Sequence, residues 1–264
     1  MFSLRLQCPP KEAEFASAEL WEWGAVALGE CEENGLAVLT AGFEDERSRD
    51  VLLARFAGCA PLWREDNTDW VNATEQAWPP RAIGQRLFLA AHWRHDPTPP
   101  GRARIIHNPG LASGTGEHPC TQLVLQALEH CVGAGSRVLD VGAGSGILSI
   151  AALRLGAAFA LGIDPDGDAL QTARENFAFN HLMPALVAGS ADCIVDGWAD
   201  ITAANISGTV LLSILDDLLR VTRPDGILIL SGFVNDEAAA FLRVFPDAEQ
   251  TTFEGWSCLI ARIS

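Results

Sequence analysis

The chain has 264 residues, of which 48% are hydrophobic and 20% are charged. Its length is sufficient for two domains, and its composition excludes the collagen-like, low-complexity and disordered classes of protein. The 18 Lys and Arg residues stand against 34 Asp and Glu residues, so the formal net charge is −16. This balance argues against direct binding of nucleic acid, which needs clusters of basic residues to contact phosphates. The negative charge either attracts a Lys-rich protein partner or only keeps the protein soluble.

The cysteines and the apolar segments exclude further classes. Seven cysteines are dispersed along the chain with no Cys-x-x-Cys pair, which predicts neither a metal site nor disulfides and favours the reducing cytoplasm. The N-terminus lacks the apolar core of a signal peptide. The longest apolar stretch, 147–163, is interrupted by Arg154 and by two glycines, so we expect no membrane span.

Residues 1–66 show the pattern of a small α+β domain. Strands are predicted over 2–8, 25–31, 36–43 and 60–65, and helices over 11–23 and 44–58. The Asn34-Gly35 pair favours a hairpin between the second and third strands, because both residues tolerate positive φ. The resulting order, βαββαβ, predicts a ferredoxin-like domain.

Residues 67–109 differ in composition from the segments on either side, because they are rich in proline and tryptophan. Trp70, Ala73 and Ala77 lie at helical spacing, which predicts a short helix that ends at Pro79. We interpret this stretch as a linker that has some structure of its own.

Residues 110–264 alternate strands and helices. A helix is predicted near 118–132, and seven strands follow, separated by helices except between the third and fourth strands and between the last two. Because each parallel crossover needs a covering helix, this alternation predicts a Rossmann-like, doubly wound α/β domain with a parallel sheet. In such domains a ligand binds at the carboxyl ends of the strands.

A glycine-rich loop follows the first of these strands, from Asp140 to Gly146. Gly142, Gly144 and Gly146 are spaced G-x-G-x-G, whereas the dinucleotide fingerprint is G-x-G-x-x-G and directs a helix N-terminus at a pyrophosphate. Asp140 would repel a pyrophosphate but suits a cationic ligand. The loop therefore predicts S-adenosylmethionine, which carries a cationic amino group and a sulfonium.

Two acidic residues follow the next two strands. Asp164 ends the second strand, where a carboxylate can accept hydrogen bonds from both hydroxyls of a ribose. Asp192 follows the third strand and either accepts a hydrogen bond from the adenine amino group or is a solvated loop residue. We predict both as cofactor-binding residues and leave the second interpretation of Asp192 open.

Three motifs are more specific than the loop alone. Residues 108–121 read NPGLASGTGEHPCT, residues 145–157 read SGILSIAALRLGA and precede GID, and residues 200–206 read DITAANI. The first resembles the signature (D/N)PGLAFGTGTHPTT of the methyltransferases of ribosomal large-subunit protein eleven, and the last is similar to DVVVANIL of the same family. The resemblance spans nearly the whole chain.

This resemblance implies a seven-stranded class I methyltransferase fold, S-adenosylmethionine as the cofactor, and methylation of lysine or N-terminal amines of a ribosomal protein. It implies that Thr115 and Gly116 contact the cofactor and that Asn205 lies at the transfer site. It also implies that the first domain recognises the protein substrate and that the linker lets this domain move. We expect a monomer.

The functional side chains follow from the chemistry of transfer to an amine. We predict that Asn205 binds the cofactor and orients the amine, because its side-chain carbonyl can accept an N–H bond and leave the lone pair free. His118 either acts as a base or caps and packs against a helix, and Glu117 either attracts the amine or is a solvated acid near a helix N-terminus.

Four positions depart from the family pattern. Ser113, Glu117 and Cys120 replace Phe, Thr and Thr, and Ser207 replaces Leu. The residues assigned to the cofactor therefore match the family pattern better than the residues expected to face the substrate. Another protein or small-molecule amine and a non-catalytic cofactor-binding module remain alternatives, whereas Ile147 occupies the position where a dinucleotide enzyme would have its third glycine.

Overall fold

A computed structural model of the chain describes residues 2–33, 35–65, 78–108, 116 and 118–263. The chain forms two compact units, Met1–Thr74 and Glu75–Ser264, and the division falls inside the predicted linker. The short helix predicted around Trp70 and the turn residue Asn34 lie outside the described residues.

The first unit is a four-stranded sheet with two helices. Its elements are β1 (Phe2–Cys8), α1 (Pro10–Glu22), β2 (Ala27–Glu33), β3 (Leu36–Phe43), α2 (Arg49–Arg55) and β4 (Leu62–Glu65). The strand order is β2-β3-β1-β4, and every neighbouring pair is antiparallel. The elements follow one another in the order that the sequence predicts.

One helix of this unit is shorter than predicted. The sequence pattern suggests a helix over 44–58, but α2 begins only at Arg49. The carboxylate of Asp45 accepts a hydrogen bond of 2.9 Å from the backbone N–H of Arg47. Because this bond offers the backbone an alternative to the helical ladder, it keeps the preceding residues in a turn.

The second unit contains all of the predicted cofactor residues. Its elements are β5 (Arg81–Ile83), β6 (Leu87–Ala91), β7 (Ala103–His107), α3 (Pro119–Cys131), β8 (Arg137–Val141), α4 (Ile147–Leu155), β9 (Phe159–Asp164), α5 (Gly167–Phe179), β10 (Leu186–Ala188), β11 (Ala199–Asn205), α6 (Gly208–Ser213), α7 (Leu215–Val221), β12 (Thr222–Val234), α8 (Ala238–Val244), β13 (Glu249–Phe253) and β14 (Trp256–Arg262). No described helix is both long and apolar enough to cross a membrane.

The main sheet has seven strands in the order β10-β9-β8-β11-β12-β14-β13. The first five are parallel, but β14 is antiparallel to both β12 and β13, so the sheet is mixed at this edge. Glu254 and Gly255 join β13 to β14 with φ of 48° and 84°. A two-residue turn with positive φ at both positions suits a hairpin, which needs no covering helix.

A second, three-stranded sheet with the order β5-β6-β7 lies in the stretch interpreted as a linker. Every residue of β6 is buried. The carboxylate of Glu129, on α3, accepts hydrogen bonds from the backbone N–H groups of Gln85, Arg86 and Leu87, at 2.9, 2.9 and 3.1 Å. Glu129 lies 42 to 44 residues away from these three N–H groups along the chain, so a local sequence pattern could not reveal the contact.

Candidate functional site

The glycine loop has the backbone conformation that glycine favours. Gly142, Gly144 and Gly146 have φ of 71°, 52° and 73°. The N–H groups of Gly142 and Ala143 donate to the carbonyl oxygen of Ile163, at 2.9 and 3.0 Å, and so join the ends of β8 and β9. Because L-residues with a side chain rarely adopt positive φ, these three positions require glycine.

Two of these glycines are also required for space. A Cβ atom on Gly142 would overlap the side chain of Ile206, and one on Gly146 would lie 3.0 Å from the Cβ atom of Ala173. The loop is therefore held between the end of β11 on one side and α5 on the other.

Asp140 lies beneath the loop and is completely buried. Its Oδ2 atom accepts hydrogen bonds from the N–H and the hydroxyl of Ser149, at 3.0 and 2.8 Å, and this anchors α4. Its Oδ1 atom is buried and has no hydrogen-bond partner among the described residues. Burial raises the pKa of this carboxyl to about 7, and the charge of Asp164 adds to that effect.

The carboxylate of Asp164 is fixed by the backbone on both sides. Its Oδ2 atom accepts a hydrogen bond from the N–H of Gly144, and its Oδ1 atom accepts one from the N–H of Asp166, each of 2.9 Å. A carboxylate oxygen has two acceptor sites, so each oxygen can accept one further bond. Asp164 can therefore bind two hydroxyl groups while it holds the loop.

Asp192 lies in a 3-10 turn, Ala191–Cys193, which follows β10. Its side chain is exposed. Strand β10 is paired with β9 so that Ala188 lies opposite Asp164. Asp192 thus follows β10, which neighbours the strand that ends in Asp164, and both residues lie at the same edge of the sheet.

Asn205 ends β11, on the other side of the glycine loop. Strand β11 neighbours β8, with Ala204 opposite Val141. The Nδ2 atom of Asn205 donates a hydrogen bond of 3.1 Å to the hydroxyl of Thr121, which is buried on α3. This bond leaves the side-chain carbonyl oxygen of Asn205 as the free acceptor, because no described residue donates to it.

Gly116 is the described part of the Gly-Thr-Gly segment. It is buried, its φ is 81°, and a Cβ atom there would overlap Leu89 and lie 3.2 Å from the side chain of Ile147. Gly116 therefore lies against the first residue of α4, directly after the glycine loop. Thr115, Ser113 and Glu117 lie outside the described residues.

His118 caps α3. Its Nδ1 atom accepts a hydrogen bond of 3.3 Å from the N–H of Cys120, and its ring packs edge-on against Trp256 with 4.6 Å between centroids. Of the two interpretations that the sequence leaves open for His118, the structure shows capping and packing.

Two residues at this site were missed by the sequence analysis. Thr121 is the partner of Asn205, and its place in the 108–121 motif was the only signal for it. Asn176, on α5, donates to the carbonyl oxygen of Ser145 and accepts from the N–H of Asn108, each at 2.8 Å. An asparagine on the buried face of a helix is the signal that could have indicated it, because such a side chain must find partners.

The family model described as "Ribosomal protein L11 methyltransferase (PrmA)" matches residues 46–263. The chain belongs to this family.

Relatives in the L11 methyltransferase family align over different shares of their length. The protein from Clostridium perfringens is 35% identical over 207 residues, which is 74% of this chain and 64% of that relative. The protein from Symbiobacterium thermophilum is 34% identical over 264 residues, 96% of this chain and 83% of that relative. The chain thus spans about two-thirds of the first relative and most of the second.

Solved structures support the fold. The crystal structure of ribosomal protein L11 methylase from Lactobacillus delbrueckii subsp. bulgaricus has a TM-score of 0.64 and 30% identity, and covers 70% of this chain and 99% of that one. A 16S rRNA methyltransferase from T. thermophilus has a TM-score of 0.53 at 18% identity, covers 99% of this chain and 65% of that one, and resembles it in fold. The predicted family and the predicted class I methyltransferase fold are confirmed.

The pKa values of two buried groups in this L11 methyltransferase family member are shifted in opposite directions. Burial, together with the nearby His92, lowers the pKa of His107 to about 4 from its ordinary 6.5, and the Nδ1 atom of His107 has no partner among the described residues. The folded state then binds fewer protons, so stability is lost as the pH falls from 6.5 towards 4. The raised pKa of Asp140 has the opposite effect, because stability is lost as the pH rises from 3.8 to about 7.

Single replacements should reveal these two opposed effects. The reference is the double variant that carries both His107→Leu and Asp140→Asn, in the absence of cofactor. Relative to this double variant, the free energy of unfolding of His107→Leu should fall by about 1.4 kcal/mol per pH unit between roughly pH 4 and 6.5, because Asp140 is kept. That of Asp140→Asn should rise by a similar amount. Urea denaturation at several pH values measures both slopes. Slopes of the same sign in the two single variants would contradict the prediction.

Proposed function

We propose that this protein transfers methyl groups from S-adenosylmethionine to lysine or N-terminal amines of ribosomal protein L11. The observation that carries this proposal is the joint placement, at the ends of three neighbouring strands, of Asp164 on β9, the glycine loop after β8 and Asn205 on β11. The first set suits an adenosyl sulfonium, and the second suits an amine.

The residues around the glycine loop fit S-adenosylmethionine. The Oδ1 atom of Asp140, which has no hydrogen-bond partner among the described residues, is a buried acceptor next to a loop where Gly142 and Gly146 have no room for a side chain, and this suits a cationic group. In this proposal Asp164 accepts the ribose hydroxyls, Asp192 accepts from the adenine amino group, and Thr115 and Gly116 enclose the ligand. Bound there, the cofactor supplies a methyl group on a sulfonium sulfur, and this sulfur is a good leaving group because it departs as a neutral thioether.

The residues of the chain then have to position the amine. A lysine amine has an ordinary pKa of about 10.4, so it must lose a proton before its lone pair can attack. The side-chain oxygen of Asn205 can accept an N–H bond from the neutral amine, and Thr121 fixes the orientation of that oxygen. Correct positioning of two reactants can contribute on the order of 7 to 11 kcal/mol, so orientation can supply much of the catalysis.

The remaining parts of the proposal concern the partner. The net charge of −16 favours approach of a Lys-rich protein. We assign recognition of that protein to the first, ferredoxin-like unit, and we propose that the enzyme acts as a cytoplasmic monomer without direct contact with nucleic acid.

Transfer of a labelled methyl group tests the proposal. Purified protein is incubated with methyl-labelled S-adenosylmethionine and unmethylated ribosomal protein L11, and mass spectrometry locates the label. We expect label on amines of L11 and none when its amines have been blocked by acetylation. Cofactor binding without transfer to any protein or amine would show a binding module instead, and label on a different protein would overturn the choice of L11.

A further inference from the structure

Two stretches of the second unit meet at α5. The glycine loop, residues 140–146, begins at the end of β8, and Asn108 directly follows β7. Strands β8 and β7 belong to different sheets, so contacts with other elements fix the loop relative to Asn108. The side chain of Asn176, on α5, contacts both.

Asn176 is bonded to one stretch by its donor and to the other by its acceptor. Its Nδ2 atom donates to the carbonyl oxygen of Ser145 in the glycine loop, at 2.8 Å. Its Oδ1 atom accepts from the N–H of Asn108, also at 2.8 Å. The side chain is completely buried, so water does not compete for either bond. One amide group therefore joins the two stretches.

Helix α5 holds this amide in place on the loop. A Cβ atom on Gly146 would lie 3.0 Å from the Cβ atom of Ala173 and 3.3 Å from the ring of Phe177, so the helix packs directly against the loop. The helix cannot approach this closely if position 146 carries a side chain. The contact fixes the distance between Asn176 and Ser145.

A second buried asparagine provides a natural comparison. Asn180 is the C-cap residue of α5, four positions after Asn176, and its Oδ1 atom accepts from the N–H of Ile106 at 2.9 Å, while its Nδ2 atom donates to the carbonyl oxygens of Ile106 and Asn176. Its side chain thus bonds to β7 and to its own helix, and among the described residues to no atom of the glycine loop.

We propose that Asn176 is a positioning residue that holds the glycine loop against Asn108 in the position which S-adenosylmethionine requires. The identity of this ligand rests on the proposed function. Without the amide, the glycine loop loses a backbone partner and has to be ordered by the ligand, which weakens binding. The reacting groups regain their places once the ligand is bound, so the main effect is on affinity.

Matched variants test this role. Asn176→Leu removes both bonds at a similar side-chain volume, and Asn180→Leu removes a buried amide from the same helix. We expect calorimetry to show a rise in Kd for S-adenosylmethionine of about 10- to 100-fold in Asn176→Leu, because binding then has to order the loop that the two hydrogen bonds held. Turnover at saturating cofactor should change much less. In Asn180→Leu the Kd should stay close to that of the unmodified protein, although both variants lower Tm.

Hydrogen exchange without ligand separates this proposal from the proposed function. Asn176→Leu should speed amide exchange in peptides covering both 140–149 and 103–108, whereas Asn180→Leu should affect only 103–108. Asn176→Asp, which keeps the acceptor but places an oxygen against the carbonyl of Ser145, should affect mainly 140–149. If Asn176→Leu leaves loop exchange unchanged, or if both leucine variants raise Kd equally, the proposal is overturned. If the unmodified protein binds no S-adenosylmethionine, the proposed function fails, and exchange still decides whether Asn176 joins the stretches.

Discussion

Replacement of Asn205 by alanine is expected to lower kcat for methyl transfer by about 100-fold, the scale of loss that a small misplacement of reacting groups produces. The side-chain oxygen of Asn205 is the free acceptor at the end of β11, so the variant loses the group that orients the amine. Single-turnover transfer at saturating S-adenosylmethionine measures the effect. Calorimetry shows whether the predicted contact with the cofactor is also lost, and we expect a small change in Kd.

The hydrogen bond between Asn205 and Thr121 supplies the control. Thr121→Val keeps the shape of the side chain but removes the hydroxyl that fixes the amide, and a net loss of about 1 kcal/mol corresponds to roughly five- to tenfold slower transfer. Thr121→Ser keeps the hydroxyl and should restore most of the rate. If Asn205→Ala turns over at the unmodified rate, Asn205 does not orient the amine.

Replacement of Asp164 by alanine is expected to raise the Kd for S-adenosylmethionine by about 100- to 1000-fold. Two charge-assisted hydrogen bonds to ribose hydroxyls are worth about 3 to 4 kcal/mol together, which corresponds to that range. The variant also releases the N–H of Gly144, which Asp164 holds at 2.9 Å, so the glycine loop loses a support. Calorimetry with S-adenosylmethionine and with S-adenosylhomocysteine measures the loss.

Asp166→Ala is the matched control for this second variant. The side chain of Asp166 caps α5 by accepting from the N–H of Asp168 at 2.9 Å, and its own backbone N–H, which bonds Asp164, is kept in the variant. We expect a loss of about 1 kcal/mol in stability from the missing cap and an unchanged Kd. An Asp164→Ala variant that binds the cofactor as tightly as Asp166→Ala would remove Asp164 from the site.

The glycine loop shows what a local sequence pattern can predict. The spacing of Gly142, Gly144 and Gly146 predicts a turn between a strand and a helix, and all three residues have positive φ. Asp164 was placed at a strand end by the same reasoning, and it ends β9. These features depend on the conformational preferences of single residues and on the alternation of strands and helices, which a sequence states directly.

The partners of these residues were not predictable in the same way. Nothing near Asp140 in the sequence shows that Ser149 takes one of its oxygens while the other remains without a partner. The sequence analysis assigned Asp140 to the cofactor by charge alone. Its complete burial, which raises its pKa to about 7, is a property of the packed fold.

The sequence by itself determined the family, and it predicted the residues of the site, because glycine spacing, acidic strand ends and the 108–121 motif are local. Only the tertiary structure decided which side chains meet. Thr121 reaches Asn205 across 84 positions, and Asn176 reaches Asn108 across 68. Such pairs form because helices pack onto a sheet whose strand order is not sequential, and buried amides and hydroxyls must then be satisfied by whatever polar groups the packing brings near.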